Sequence, residues 1–156
     1  MSNELFHCAA IPLGPGSLIL PGNWGRLKRR FETDALQISR EAILEDYRRR
    51  HWPDKPSRLK AAFACLTLEI ARNYHAKHAP ATLLYKVELL DPTAPIHYGD
   101  YEVCMAGFQG IDGMQAVAKR YWQGESMNSP EIVTLSPLRV IERVRSKRDL
   151  LDVSDL

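Results

Sequence analysis

The chain has 156 residues, of which 45% are hydrophobic and 26% charged, and a formal net charge of +2. That length fits one domain with a core large enough to stand without disulfide or metal staples. No apolar run approaches the roughly 20 residues of a membrane-spanning helix, and so small a net charge does not by itself imply a nucleic-acid binder.

Leu5-Phe6-His7-Cys8 belongs to a first predicted strand, Glu4 to Ala9, which delivers one histidine ahead of a loop punctuated by Gly14, Gly16, Gly22 and Gly25. Glycines so placed predict a close approach to a ligand or to another backbone segment. Between Glu32 and Arg50, Leu36, Ile43 and Tyr47 fall at helical spacing among charges, which predicts an amphipathic surface helix. The two prolines of Trp52-Pro53-Asp54-Lys55-Pro56 end it.

Ala61 to Leu66 predicts a strand leading into a helix that Thr67 caps. Glu69 complements the dipole of that helix, Leu68, Ala71 and Tyr74 face the core, and Pro80 marks its end. His75 and His78 share one face, but no third ligand accompanies them, so they predict helix-end histidines rather than a metal site. Leu83 to Leu90 alternates as a half-buried strand, Asp91 to Pro95 turns the chain, and Ile96 to Tyr101 predicts an aromatic-rich loop.

Asp112 with Gln115 has the spacing of a capping box before an amphipathic helix through Met114, Val117, Ala118 and Tyr121, closed by Gly124. Ile132 to Leu135 and Leu138 to Val144 are two final strands split by Pro137. The order of elements predicts an α+β fold over residues 1–145, followed by a charged tail, 146–156. Neither a dinucleotide-type nor a P-loop glycine motif follows any strand, so a nucleotide would have to be held another way.

Cys8, Cys65 and Cys104 are odd in number, widely spaced and flanked by apolar residues, which predicts buried thiols instead of disulfides or a zinc ribbon. The Met1-Ser2-Asn3-Glu4 start lacks a basic stretch followed by an apolar one, which predicts a cytoplasmic protein, with signal-independent export as an effector still open. Arg26, Lys28, Arg29 and Arg30, then Arg48, Arg49 and Arg50, cluster ahead of Trp52. Such clusters are either a solvated helix face or a contact for a partner.

Several blocks taken in order resemble the rifampicin ADP-ribosyltransferases, small NAD-using enzymes with the split-sheet fold of ADP-ribosylating toxins. Phe6-His7 with Leu13 to Gly22, Phe63 to Ala71, Val87-Glu88 with Ile96 to Asp100, and Ser136 to Ile141 carry the likeness. It leaves out Leu27 to Leu59 and the tail. A further likeness, through Lys55-Pro56-Ser57-Arg58 and Tyr121-Trp122-Gln123-Gly124, is to an uncharacterised bacterial family that supplies no activity.

The first resemblance implies a split or mixed sheet with flanking helices, NAD as substrate, no metal, and a His-Tyr-Asp set. His7 matches the histidine that bonds a ribose hydroxyl of NAD. Asp100 best matches the aspartate, with Asp91 as competitor. Phe63 stands where the family has tyrosine, keeping a ring but losing the phenolic hydroxyl. Cys8, Tyr98 and Tyr101 would join His7 and Phe63 against the cofactor.

Cleaving the bond between nicotinamide and ribose passes through an oxocarbenium-like state, which a nearby carboxylate stabilises and hydrogen bonds to the sugar orient. The implied activity is mono-ADP-ribosyl transfer to an acceptor, with the arginine clusters favouring protein or nucleic acid over a small drug. Hydrolysis of NAD by water, and a non-catalytic nucleotide- or partner-binding module of the same fold, are the alternatives.

Overall fold

In a computed structural model the chain is an α+β protein built on one seven-stranded sheet. The structure describes residues 4–105, 107, 109–124 and 127–145, so the predicted tail, 146–156, lies outside the described residues. In chain order the elements are β1 (Leu5–Ala9), β2 (Leu18–Ile19), α1 (Asn23–Arg30), α2 (Ala35–His51), a 3-10 turn (Arg58–Lys60) and β3 (Ala62–Cys65). They continue with α3 (Leu68–His78), β4 (Leu83–Leu89), β5 (Ile96–Asp100), α4 (Tyr101–Met105), α5 (Gly110–Gln123), β6 (Pro130–Thr134) and β7 (Leu138–Val144).

The strand order is β2-β7-β4-β1-β3-β6-β5, and the described pairings are antiparallel. Register shows where this sheet is weakest. β1 runs beside β4 from Leu5 opposite Val87 to Ala9 opposite Leu83, yet it meets β3 at the single pair Phe6 opposite Cys65. The sheet therefore parts between β1 and β3 just beyond that pair.

Alternation along the strands sends side chains to two cores. On one face Val133 and half-buried Phe63 pack beneath Leu44 of α2 and Met114, Val117, Tyr121 and Trp122 of α5, while Phe6, Cys65 and Leu84 pack beneath Ala71 of α3. Leu5, Tyr85, Val87, Ile132, Leu138 and Val140 form the core of the opposite face. The segment after β1 is tied to that face by Tyr85, whose hydroxyl accepts from the Leu13 N–H at 2.8 Å and donates to the Ile11 carbonyl at 3.2 Å.

Several elements differ from expectation. The glycine-rich segment is not all loop: it holds β2 and α1, with Gly22 at φ +95° opening the helix. A Cβ on Gly25 would lie 1.8 Å from the Leu59 carbonyl oxygen, so the close approach predicted there is one of backbone to backbone. Asp34 caps α2 by accepting from the N–H groups of Leu36 and Gln37.

The face of α2 turned inward carries Glu41, Leu44 and Glu45, while Leu36 and Ile38 are exposed, because the following segment brings buried Arg58 against Glu41 and the Ser57 hydroxyl against Glu45. Ile96 to Asp100 is a strand rather than a loop, since each of its residues finds a partner in β6. The Asp112–Gln115 capping box does not form; α5 begins two residues earlier, at Gly110, and Asp112 lies in its first turn. Thr67 does cap α3, accepting from the Ile70 N–H, and Gly124 at φ +69° does close α5. Among the described residues no helix is long and apolar enough to cross a membrane.

Candidate functional site

The parted sheet opens onto a cleft of about 750 Å3, part of it open to solvent, walled largely by apolar groups. Strand β1 sends in His7 and Cys8, and β3 sends in Phe63 and Cys65. Trp24 comes from α1, Tyr74 from α3, Tyr101 from α4, Arg58 from the 3-10 turn and Glu131 from β6.

His7 is the part of the cleft whose chemistry is most closely defined. Its Nδ1 lies 2.7 Å from the Phe63 carbonyl oxygen. A carbonyl only accepts, so Nδ1 carries the proton and Nε2 is left as the acceptor nitrogen of a neutral ring. Burial holds the imidazole pKa below its ordinary value, with the Phe63 bond opposing it, which keeps the ring neutral.

The rings form a box. Trp24 meets Phe63 edge to face at a centroid distance of 5.0 Å, and Tyr74 meets Tyr101 at 5.1 Å. The Arg58 guanidinium carbon sits 5.0 Å from the centre of Phe63 and 5.2 Å from that of Trp24. Burial pushes the Tyr74 phenol up to about 12 and the Cys104 thiol up to about 11, and it raises Cys8 and Cys65 as well. The thiols at this cleft are therefore protonated at neutral pH and poor nucleophiles.

Glu131 brings the carboxylate. It lies on β6 opposite Cys65 on one side and Gly99 on the other. Its Oε1 accepts from Arg58 Nη1 at 2.8 Å and from the Tyr121 hydroxyl at 2.7 Å. Oε2 has no such bond among the described residues. Arg58 is fixed from behind by Glu41, at 3.0 Å to Nε and 3.3 Å to Nη2. The network leaves the Glu131 carboxylate held at a set angle on the cleft wall.

The predicted site residues are only partly brought together. His7, Cys8, Phe63 and Tyr101 line the cleft, whereas Asp100 and Tyr98 do not. Asp100 is 2% exposed, and its carboxylate accepts from the backbone N–H groups of Glu102, Asn128 and Ser129, joining the end of β5 to the start of β6. Its carboxylate is thus engaged by backbone at the β5–β6 end and is not among the groups that line the cleft. Tyr98 is 47% exposed and faces a groove on the opposite side of the sheet. Asp91 caps its own turn, accepting from the N–H and hydroxyl of Thr93.

The basic clusters also divide. Arg48 bonds Glu45 and the carbonyls of Pro53 and Lys55, Arg49 bonds Glu45, and Arg50 bonds Asp46, so this triplet closes the end of its own helix. Lys28 pairs with Glu32 and Gln37, and Arg26 bonds Asn23. Arg29 and Arg30 stand exposed on α1, the helix that carries Trp24 into the cleft. Among the described residues no group of three or more His, Cys, Asp or Glu is placed to hold a metal ion. His75 is instead bonded through Nε2 to the Thr82 carbonyl at 2.7 Å.

Sequence reasoning missed Trp24, Arg58, Tyr74 and Glu131. One signal was available for Glu131, a charge at the inward position of an otherwise apolar strand, on the same face as Val133.

These features belong to an α+β protein with an aromatic-walled cleft at a parted sheet. The chain belongs to a family described as protein of unknown function (DUF2441), which matches residues 24–146. The matched part includes Arg58, Phe63, Tyr121 and Glu131 and begins after β1, so His7 and Cys8 precede it. No curated protein matches the chain.

Proposed function

We propose that the cleft binds NAD by its nicotinamide riboside end and that the protein is a mono-ADP-ribosyltransferase. One observation carries this reading: a neutral imidazole, a box of aromatic rings and an anchored carboxylate meet around one cleft where β1 and β3 part.

His7 Nε2 is an acceptor for a ribose hydroxyl, and the rings supply faces for the pyridinium. Glu131, not Asp100, is the carboxylate for the charge that develops at the ribose C1′. The C1′–N bond to nicotinamide breaks, and its electron pair leaves with the now neutral ring. The acceptor's nucleophile then bonds C1′ and gives its proton to Glu131 or to water. Arg26, Arg29 and Arg30 share α1 with Trp24, which lines the cleft, and would meet a protein or nucleic-acid acceptor.

The test is calorimetric titration with NAD, together with nicotinamide release measured with and without added protein acceptors. NAD should bind to the wild type. His7→Ala should weaken that binding by about tenfold or more, the worth of one hydrogen bond plus its oriented neighbour. Glu131→Gln should retain binding and lose nicotinamide release. No binding of NAD at millimolar concentration, or equal binding by wild type and His7→Ala, sinks the assignment. Release without acceptor would mark a hydrolase. Phe63, which lacks the phenolic hydroxyl of the rifampicin ADP-ribosyltransferases that the sequence resembles, favours a second reading, a nucleotide-binding module without turnover; binding with no release would establish it.

A further inference from the structure

The corner between α1 and α2 holds apolar groups out in water among cations. Trp24 lines the cleft and Gly25 packs on the Leu59 backbone, so the inner side of α1 is theirs, and Arg26, Leu27, Arg29 and Arg30 are exposed on its outer side. Arg29 and Arg30 lie three and four positions after Arg26, a spacing that sets the three guanidinium groups on one side of a helix. Phe31 follows, 64% exposed, with the Arg26 guanidinium carbon 5.7 Å from its ring centre. Its N–H donates to the Leu27 carbonyl at 2.9 Å, which keeps these two apolar residues adjacent at the end of the helix. The corner is braced. Glu32 accepts from Lys28 and from the N–H groups of Thr33 and Asp34, Lys28 also bonds Gln37, and Asp34 caps α2. The first two carboxylates after the arginines are thus engaged by backbone and by Lys28, and the segment Asn23 to Phe31 itself carries four cations and no carboxylate.

We propose that this corner docks on an anionic lipid surface, with Leu27 and Phe31 entering the headgroup boundary and Arg26, Arg29 and Arg30 meeting the lipid phosphates and carboxylates. Cations alone would suit any polyanion. The apolar side chains set among them select lipid, because the boundary of a bilayer takes up apolar groups and cations together, whereas a leucine gains nothing from a sugar-phosphate backbone. A corner already fixed by its own hydrogen bonds also loses little freedom on docking. The NAD reading gives the same arginines to an acceptor, and headgroups would compete for them. Vesicle binding is therefore measured without NAD or acceptor, and it stands or falls apart from that reading.

The test is cosedimentation of the full chain at low ionic strength with vesicles of phosphatidylserine and phosphatidylcholine in equal parts, against vesicles of phosphatidylcholine alone. The wild type should partition to the anionic vesicles and not to the neutral ones. The double variant Arg29→Gln, Arg30→Gln should bind about twentyfold more weakly, roughly fivefold per charge, and Phe31→Ser about tenfold more weakly, the effect of one ring left out of the boundary. The substituted side chains are exposed, and circular dichroism checks the fold of each variant. Absence of wild-type partition to anionic vesicles, or partition by either variant equal to wild type, overturns the proposal. A fluorescent single-stranded oligonucleotide is the second probe: binding to it without binding to vesicles assigns the arginines to nucleic acid and likewise overturns lipid docking.

Discussion

Replacing Arg58 with methionine is the sharpest test of how the cleft is held. The Arg58 side chain is 8% exposed, bonds Glu41 through two nitrogens and Glu131 and the Tyr121 hydroxyl through a third, and lies 5.0 Å from the centre of the Tyr121 ring. Methionine keeps the volume and the contact with the aromatic rings but removes the charge. Two buried carboxylates are then left facing each other across an apolar gap. Breaking such a pair by deleting one partner costs about 3–5 kcal/mol, a large part of the roughly 5–15 kcal/mol that holds a domain folded.

For a chain of 156 residues, that loss corresponds to a fall in melting temperature of roughly 6–20 °C. Urea denaturation followed by circular dichroism measures it, with the triple variant Glu41→Gln, Arg58→Met, Glu131→Gln as the partner experiment. Amides need no countercharge, so the triple variant should regain most of the lost stability even though it has lost more hydrogen bonds. A single variant within about 1 kcal/mol of wild type, or a triple variant no better than the single, would refute the account of Arg58 as the counter-ion of both carboxylates.

The remaining expectations concern the same framework. His97 is buried, donates through Nε2 to the Tyr121 carbonyl at 3.1 Å, and is pushed down to about 4 by desolvation, with Lys55 adding to the effect. Its depressed value means the unfolded chain takes up a proton first, so its contribution is complete above pH 6.5 and disappears as pH falls toward 4. That loss is roughly 3 kcal/mol at most, and His97→Gln should flatten the stability profile between pH 6.5 and 5 in urea titrations. Gly99→Ala would set a Cβ 2.6 Å from the Tyr121 ring and should cost about 1–3 kcal/mol of stability by the same measurement. Asp100→Ala strips the acceptor from three backbone N–H groups. It should cost about 2–4 kcal/mol by denaturation while leaving NAD affinity per folded molecule unchanged; a selective loss of affinity would return Asp100 to the site.

How much of this was legible follows from what each residue depends on. β1, β3, β4, β7 and α3 announce themselves through alternation, caps and prolines, all local properties. His7 and Phe63 were expected at the cleft wall because each lies on such a strand, and both line it. Asp100 was misplaced because a carboxylate after a glycine looks the same whether it faces a cleft or accepts from backbone two and about thirty residues away. Arg58 and Glu131 are separated by 73 positions, and neither has a local neighbour that explains its burial. The inward face of α2 was misjudged for the same reason, since Glu41 and Glu45 look like solvated charges until Arg58 and Ser57 are brought against them. Charge burial is a pairwise property of the fold, and a periodic pattern of one segment carries only half of it.

The parted sheet and the imidazole depend on each other. In an antiparallel ladder, alternate residues point their backbone groups to the same neighbour, so Phe63, two positions before Cys65, directs its carbonyl toward β1 as Cys65 does. No β1 residue is registered opposite Phe63 to meet it. His7 Nδ1 donates to that carbonyl instead, supplying from a side chain the bond that a closed ladder would have supplied from the backbone. A cleft between two strands is otherwise costly, because it leaves buried carbonyls without donors. Here the same residue that satisfies the exposed edge of β3 through Nδ1 also lines the space the parting creates. The structural role of His7 and its proposed binding role therefore use different atoms of one side chain, and neither excludes the other.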